Sequence, residues 1–357
     1  MVAAAARRSQ GFPVNPLAAD RTAGQDAVVR TDLPAGYRWR RPTPDDAKAI
    51  FDLVAARNTA ILGFADLTLD DVSDELVEPG FDREADGWLV DDDSGALVGW
   101  GWAFRNGDSD LVNVDVLVGD HAEVAGWLWE RVLERAAAIG AELGHARVDV
   151  DIGIYRDDEG QRAAAAVCGF SAATTFQRMR IDFDGAPAEP DTPDGVVVRT
   201  GPGDEAFRRQ GHMVSQDAFA EHFGFVARSF EEWHEAVEAQ SSHDWSQLRV
   251  AHVDGEAVAM VRGSDQFVED EGCGYIPTVA VLPAARGRGL AKLLLRQAFA
   301  DDFRRGRKGT ILHVDTNNVT PALDLYLGVG MRPVLVIDMW RYELPTGAGA
   351  VSEPGGG

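Results

Sequence analysis

The chain has 357 residues, of which 45% are hydrophobic and 26% charged, and carries a net charge of −24 at pH 7. That length suits two domains, each with a core of its own. The acidic balance excludes a general binder of nucleic acid or anionic membrane, both of which require a cationic footprint. No apolar run reaches the roughly 18 to 20 residues of a membrane-spanning helix. Two cysteines, Cys168 and Cys273, make neither a disulfide framework nor a metal set.

In chain order, residues 1–35 mix Ala, Arg, Pro, Gly and Asp without periodicity, which predicts a disordered arm. The arginines at 7 and 8 follow a very short apolar run, the reverse of a secretory signal, so a cytoplasmic protein is expected. A first domain is predicted over 36–184, opening with a strand, a Pro turn and an acidic helix cap in Tyr37–Asp46. It closes on Gly169-Phe170 and an apolar strand in 176–183. A Pro- and Asp-rich linker, 185–195, follows. The second domain, 196–343, opens the same way in Val196–Glu205 and closes the same way, on Gly330-Met331 and a strand over 334–342. An offset of about 160 residues suits a duplicated domain. Residues 344–357 read as a flexible tail.

Within the second half, helices are predicted across 204–240, carrying Phe219, Phe223, Phe230 and Trp233. A hairpin over Leu248–Val253 and Glu256–Val261 turns at Asp254-Gly255. A strand, Gly274–Val281, leads into an Arg/Gly turn and a leucine-rich helix to about 305. A strand over 310–315 then precedes a helix from Pro321 to about Gly328, with Thr320 as its cap. The order is α+β, with a mixed, mostly antiparallel twisted sheet flanked by helices in each domain.

Two stretches carry chemistry. In Val279–Leu295 a β-branched strand ends in Pro283, and Arg286-Gly287-Arg288-Gly289-Leu290-Ala291 opens the next helix. A helix start presents N–H groups without intrahelical acceptors, together with the positive end of the macrodipole, and so suits a phosphate or pyrophosphate. Gly287 and Gly289 permit close approach of the backbone, and the two arginines add charge. From Arg286 to Lys308 there are eight basic residues against two acids, Asp301 and Asp302, a basic island in an acidic protein. The second stretch, Leu312–Gly330, places Asn318 after a strand and Tyr326 on the following helix.

The spacing Arg286-x-x-Gly289-x-Ala291, with Asn318, Tyr326 and Gly330-Met331 downstream, resembles the acyl-CoA loop and signature of the GNAT acetyltransferase superfamily. Where the family has a phenylalanine, this chain has Met331. The resemblance covers about 150 residues and implies two tandem GNAT-like domains, the second catalytic. It implies acetyl-CoA as cosubstrate, no metal, and direct attack by the primary amine of a small molecule, such as an aminosugar or amino-acid conjugate, on the thioester. Val279, Val281, Arg286, Gly287, Arg288, Gly289, Leu290, Ala291 and Asn318 are then expected to hold the cofactor. Backbone N–H groups on Val279–Leu282 would polarise the thioester carbonyl, and Tyr326 would protonate the departing thiolate. Glu269, Asp270 and Glu271, just before the strand, are the candidate bases, directly or through water, with Glu271 the one put forward. An acidic surface favours a cationic acceptor and serves solubility equally well. Two other readings are an acyl-CoA-binding regulatory module without turnover and a protein acetyltransferase. Neither nucleic acid nor membrane is an expected partner, and the sequence leaves the oligomeric state open.

Aligning Val114–Leu128 on Val279–Leu293 puts His121 at Arg286, Ala122 at Gly287, Glu123 at Arg288 and Val124 at Gly289, while Ala165 falls at Tyr326. An acid repels phosphate and a valine side chain crowds the backbone. The first domain is therefore expected to be degenerate.

Overall fold

The structure, a computed structural model, describes residues 32–220, 225–315 and 322–347. The described residues divide into two compact units: the first holds 32–173 and 338–347, and the second is Thr174–Ile337.

The first unit holds β1 (Tyr37–Arg40), β2 (Gly87–Asp92), β3 (Leu97–Arg105), β4 (Leu111–Val118) and β5 (Arg147–Tyr155). Its helices are α1 (Ala47–Leu62), α2 (Leu69–Leu76), α3 (Ala125–Glu142) and α4 (Glu159–Val167). Strands β1 to β4 pair antiparallel and β4–β5 parallel. Along β3 the period of two is explicit. Trp100 and Trp102 are buried with Ile50, Val54 and Leu76 of α1 and α2. On the other face, a Cβ at Gly99 would stand 2.9 Å from Leu128 and one at Gly101 3.1 Å from Val132, so the two glycines let α3 lie directly on the strand. Local caps mark the helix starts. Thr68 and Asp71 form a reciprocal capping box at α2.

The second unit contains β6 (Ser171–Asp182, from Thr174), β7 (Val196–Thr200), β8 (His243–Val253), β9 (Glu256–Ser264), β10 (Cys273–Val281) and β11 (Gly309–Asp315), in the order β6-β11-β10-β9-β8-β7. Helices α5 (Glu205–Phe219) and α6 (Phe230–Glu238) pack with Leu248, Val250, Met260 and Ala280 on one face. On the other, α7 (Leu290–Arg304) and α8 (Ala322–Gly328) pack with Ala251, Ala259, Val261, Leu312 and Val314. The β8–β9 hairpin turns at Asp254 (φ 53°) and Gly255 (φ 86°), two successive left-handed residues that match the twist of a tight hairpin, as the Asp-Gly pair predicts.

These units differ from a division at 184 and 196 in their closing strands. The last strand of the chain, β12 (Arg332–Pro345), belongs to the first unit from Asp338 onward. There the Arg341 guanidinium spans Asp149 and Asp151 at 2.6–2.7 Å, and the Thr346 N–H donates to the Ala146 carbonyl at 3.1 Å. In return β6, from the first half of the sequence, pairs antiparallel with β11 from Gly309↔Asp182 to Asp315↔Phe176. Each unit is thus completed by a strand from the far side of the linker.

Among the described residues no helix is long and apolar enough to cross a membrane, and no group of three or more His, Cys, Asp or Glu side chains is placed to hold a metal ion. Cys168 and Cys273 are both free thiols, each pushed up to about 11 by burial, which leaves them unreactive at neutral pH.

Candidate functional site

The second unit's sheet opens between two of its strands. β10 and β11 pair in parallel only from Cys273↔Gly309 to Tyr275↔Ile311, although β10 runs on to Val281 and β11 to Asp315. Pro277 sits just past the parting point, inside a bulge against β9 between Tyr275 and Thr278. It has no N–H to give a neighbouring strand, so it marks where the ladder with β11 ends. The Leu282 N–H donates to the Val258 carbonyl at 2.9 Å, toward β9. Alternation along a strand then turns the N–H groups of Val279 and Val281 the other way, into the fork. Two backbone donors thus face the open side, where the sequence places carbonyl-polarising groups.

Beyond Val281 a helical turn, Pro283–Ala285, carries the chain to Arg286 and the glycines. Gly287 and Gly289 both have φ of +76°, and nothing lies within 4 Å of where a Cβ would stand. Their role is backbone conformation and access rather than packing. Gly289 is the N-cap of α7, and the first intrahelical bond is Leu293 N–H to the Gly289 carbonyl, 3.0 Å. The N–H groups of Leu290, Ala291 and Lys292 precede that ladder and emerge at the positive end of a 15-residue helix. Leu290 is buried and anchors the turn, Ala291 is half-buried, and Arg288 is exposed.

Arg286 does something the sequence did not suggest. Its Nε donates to the Val281 carbonyl (3.3 Å) and its Nη2 to the Ala218 carbonyl in the last turn of α5 (3.2 Å). The basic island is also smaller than it reads. Arg305 is paired with Asp244 and Asp301, and Arg304 with Asp301 and Glu189. Arg307 is buried against Asp302 (2.5 Å) and Asp265. Arg288, Lys292 and Arg296, at the loop and along the first half of α7, are exposed.

Tyr326 on α8 is buried in the same cluster as Ala285 and Leu290 of the loop, Leu294 of α7 and Val314 of β11. Burial pushes its phenol up to about 12. Met331 is buried beside it where the resemblance expects a phenylalanine. Asn318, Thr320 and Pro321 lie outside the described residues, as do His222 and Phe223. Trp233 and Phe230 are core residues of α6.

Glu271 is not brought to the loop. It ends a helical turn ahead of β10, eight residues before Val279, roughly 26 Å at about 3.3 Å per strand residue. Its carboxylate is held by Arg178 (3.3 Å) and Arg180 of β6. A carboxylate committed to two guanidinium groups at the closed end of the strand pair is a structural ion pair. The expectation that it accepts the amine proton is not supported by this placement.

Three strands contribute a buried polar chain at the fork's closed end. The Arg178 Nε donates to His313 Nε2 (3.1 Å), and His313 Nδ1 meets the Tyr275 hydroxyl at 3.1 Å. A guanidinium can only donate, so Nε2 is the acceptor, and the neutral ring carries its proton on Nδ1 and donates it to the Tyr275 oxygen. Burial, and the charge of Arg178, hold His313 well below its ordinary value. No local sequence signal marks this chain, because its members come from β6, β10 and β11.

The matching region of the first unit is filled by its own side chains. β4 and β5 part after Asn113↔Asp151. Beyond that point Gln161 of α4 donates to Asp115 Oδ1 (2.9 Å) and to the Val116 carbonyl (3.2 Å). In the loop, the Tyr37 hydroxyl bonds Glu123 and lies 2.8 Å from His121 Nδ1. Val124 is fully buried, and Ala165 stands where the other unit has Tyr326.

Comparison with known proteins agrees with this geometry. The model of the acetyltransferase (GNAT) family matches residues 212–331. A mycothiol acetyltransferase of Nocardia farcinica is 28% identical over 318 residues, covering 84% of this chain and 95% of the relative. A GCN5-related N-acetyltransferase from Sphaerobacter thermophilus superposes with a TM-score of 0.74 at 25% identity, covering 88% of this chain and 98% of that one. A tandem GNAT protein from the clavulanic acid biosynthesis pathway shares the fold at a TM-score of 0.66 and 17% identity, covering 88% of this chain and all of the other. The glycine loop and the open fork both lie in the second unit, where residues 212–331 form a GNAT acetyltransferase domain, and the chain is an acyl-CoA N-acyltransferase.

Proposed function

We propose that the second unit transfers an acetyl group from acetyl-CoA to the primary amine of a small molecule by direct attack. The observation that carries this reading is the contrast between the two forks: in the second unit Val279 and Val281 turn backbone donors into an open fork, and in the first Gln161 bonds Asp115 and the Val116 carbonyl of β4 beyond the parting point. In this reading the N–H groups from Gly287 to Ala291 cradle the pyrophosphate, with Arg288 adding charge, and Leu290 fixes the turn. Asn318 holds the pantetheine arm. The Val279 and Val281 N–H groups stabilise the oxyanion as it forms.

Tyr326 serves as proton donor to the thiolate. A phenol at about 12 stays protonated throughout the neutral range but is a weaker acid than an alkyl thiol, about 8.5. It therefore acts first by hydrogen bonding to the charge that develops on sulfur, with proton transfer completed as the thiolate leaves. The net charge of −24 favours a cationic acceptor. The relatives named mycothiol acetyltransferase put a mycothiol-related amine at the head of the candidates.

The test is thiol release from acetyl-CoA in the presence of a panel of amines. Turnover with small amines supports the reading. CoA binding without turnover identifies a regulatory module, and turnover with Lys-rich peptides alone identifies a protein acetyltransferase.

A further inference from the structure

With Glu271 held at the closed end, the fork needs another group to take the amine proton. The cross-strand register puts Tyr275, Thr278 and Ala280 on one face of β10, since their partners Ser264, Arg262 and Met260 alternate along β9. His313 shares that face through its bond to Tyr275, and Asp315 follows it two residues on. Leu312 and Val314 point to the opposite face, into the cluster with α7. Asp315 stands four residues past the parting point on β11, and Val279 four residues past it on β10. Asp315 therefore stands on the strand across the open fork from the N–H groups proposed to polarise the thioester, with its side chain on the face that carries Thr278. It is 3% exposed, and the Thr174 hydroxyl donates to its Oδ1 at 2.6 Å. Thr278, on the same face of β10, is 4% exposed, and its Oγ1 has no hydrogen-bond partner among the described residues. A buried hydroxyl left without a partner marks a place where a ligand supplies one.

We infer that Asp315 is the general base of the transfer and that Thr278 Oγ1 holds the acceptor amine beside it, an inference that rests on the reading of the second unit as an amine acetyltransferase. The amine nitrogen bonds the thioester carbon while the carbonyl electron pair moves to oxygen. Asp315 takes the N–H proton that the nitrogen sheds. The C–S bond then breaks, Tyr326 protonates the departing thiolate, and the proton on Asp315 returns to the Tyr326 oxygen through solvent. The products are the amide and free CoA thiol, and both residues are restored. The Thr174 hydroxyl is a positioning group that favours the ionised carboxylate. Among the described residues, that face also carries Arg178, His313, Tyr275 and Arg262.

The experiment is the pH dependence of kcat/KM for acetyl transfer by the full chain. It compares wild type with Asp315→Asn, Asp315→Glu and Thr174→Val, with acetyl-CoA affinity measured by calorimetry alongside. Asp315→Asn is expected to lose about 10²–10⁴-fold in rate with acetyl-CoA affinity unchanged, and Asp315→Glu to recover part of that loss. Thr174→Val removes a hydrogen bond to the ionised form, so the acidic limb should move to higher pH. If Asp315→Asn folds poorly, the limb shift in Thr174→Val still decides. Wild-type turnover matched within about threefold by Asp315→Asn, or a limb unmoved by Thr174→Val, overturns the assignment and leaves the acetyltransferase reading intact. A wild type that acetylates no amine overturns both.

Discussion

Arg286 donates to the Ala218 carbonyl at 3.2 Å, tying the cofactor loop to the last turn of α5. A guanidinium there meets the negative end of the helix macrodipole, and its Nε caps the Val281 carbonyl on the fork side. The residue that heads the loop motif thus braces the loop. Arg286→Ala should destabilise the protein by about 1 kcal/mol, toward the low end for charge-assisted bonds because the side chain is exposed. Acetyl-CoA affinity should fall no more than about threefold. A larger loss that vanishes at high salt would assign the guanidinium to the pyrophosphate instead.

The two loop glycines separate strain from access. Gly289→Ala places a Cβ in open space at φ +76°, so it should cost about 1 kcal/mol of stability and little affinity. Gly289→Glu adds bulk and negative charge over the helix start and should abolish CoA binding. Calorimetric titration of both variants checks this, and equal affinities in the two would place the pyrophosphate elsewhere.

Only one cofactor should bind per chain. In the first unit Gln161 bonds Asp115 and the Val116 carbonyl of β4 beyond the parting point, and Tyr37 closes the loop on Glu123 and His121. Two tight sites in a titration with acetyl-CoA would contradict the reading of that unit as degenerate.

Tyr326→Phe keeps the ring packing and removes the O–H. It should lower kcat by about 10²–10⁴-fold with KM for acetyl-CoA little changed. With the phenol at about 12, the defect should be constant from pH 6 to 10, because the wild-type group does not ionise in that window. Pre-steady-state acetyl transfer is the measurement to use, since slow product release would mask the chemical step. A rate within about threefold of wild type removes Tyr326 from the mechanism.

His313 makes stability depend on pH. Its value in the folded chain lies well below the ordinary 6.5, so below pH 6.5 the unfolded chain binds a proton that the folded chain does not. Stability from this group is complete above that value and is lost as pH falls. From pH 7.5 to 5.5 the loss is about 1.4 kcal/mol. Urea midpoints at the two pH values should differ less in His313→Gln than in wild type.

The features legible in the sequence are those written in adjacent residues. Asp254-Gly255 sets its own hairpin turn, and Gly287 and Gly289 announce a helix start at which only a flexible backbone fits. The helix that carries Tyr326 was legible because it is one short continuous run, Ala322–Gly328. What escaped depends on chain segments far apart. β6 and β12 carry similar apolar patterns after similar Gly-containing turns, so nothing local says which sheet each one joins. Glu271 reads as an available carboxylate until Arg178 and Arg180, some 90 residues earlier in the chain, are folded against it. The basic island reads as a cofactor surface until Asp244 and Asp265 reach its arginines from β8 and the end of β9. Asp315 and Thr278 had no signal, because their meaning comes from the parting of two strands.

Acetyl transfer by this chain is proposed to depend on a single competent site, in the second unit. Its most direct test is mass-spectrometric detection of acetylated amine formed from acetyl-CoA by wild type and by Gly289→Glu, under identical conditions. The expected result is product with wild type and none with the variant. Equal product from both proteins, or none from either, would contradict it.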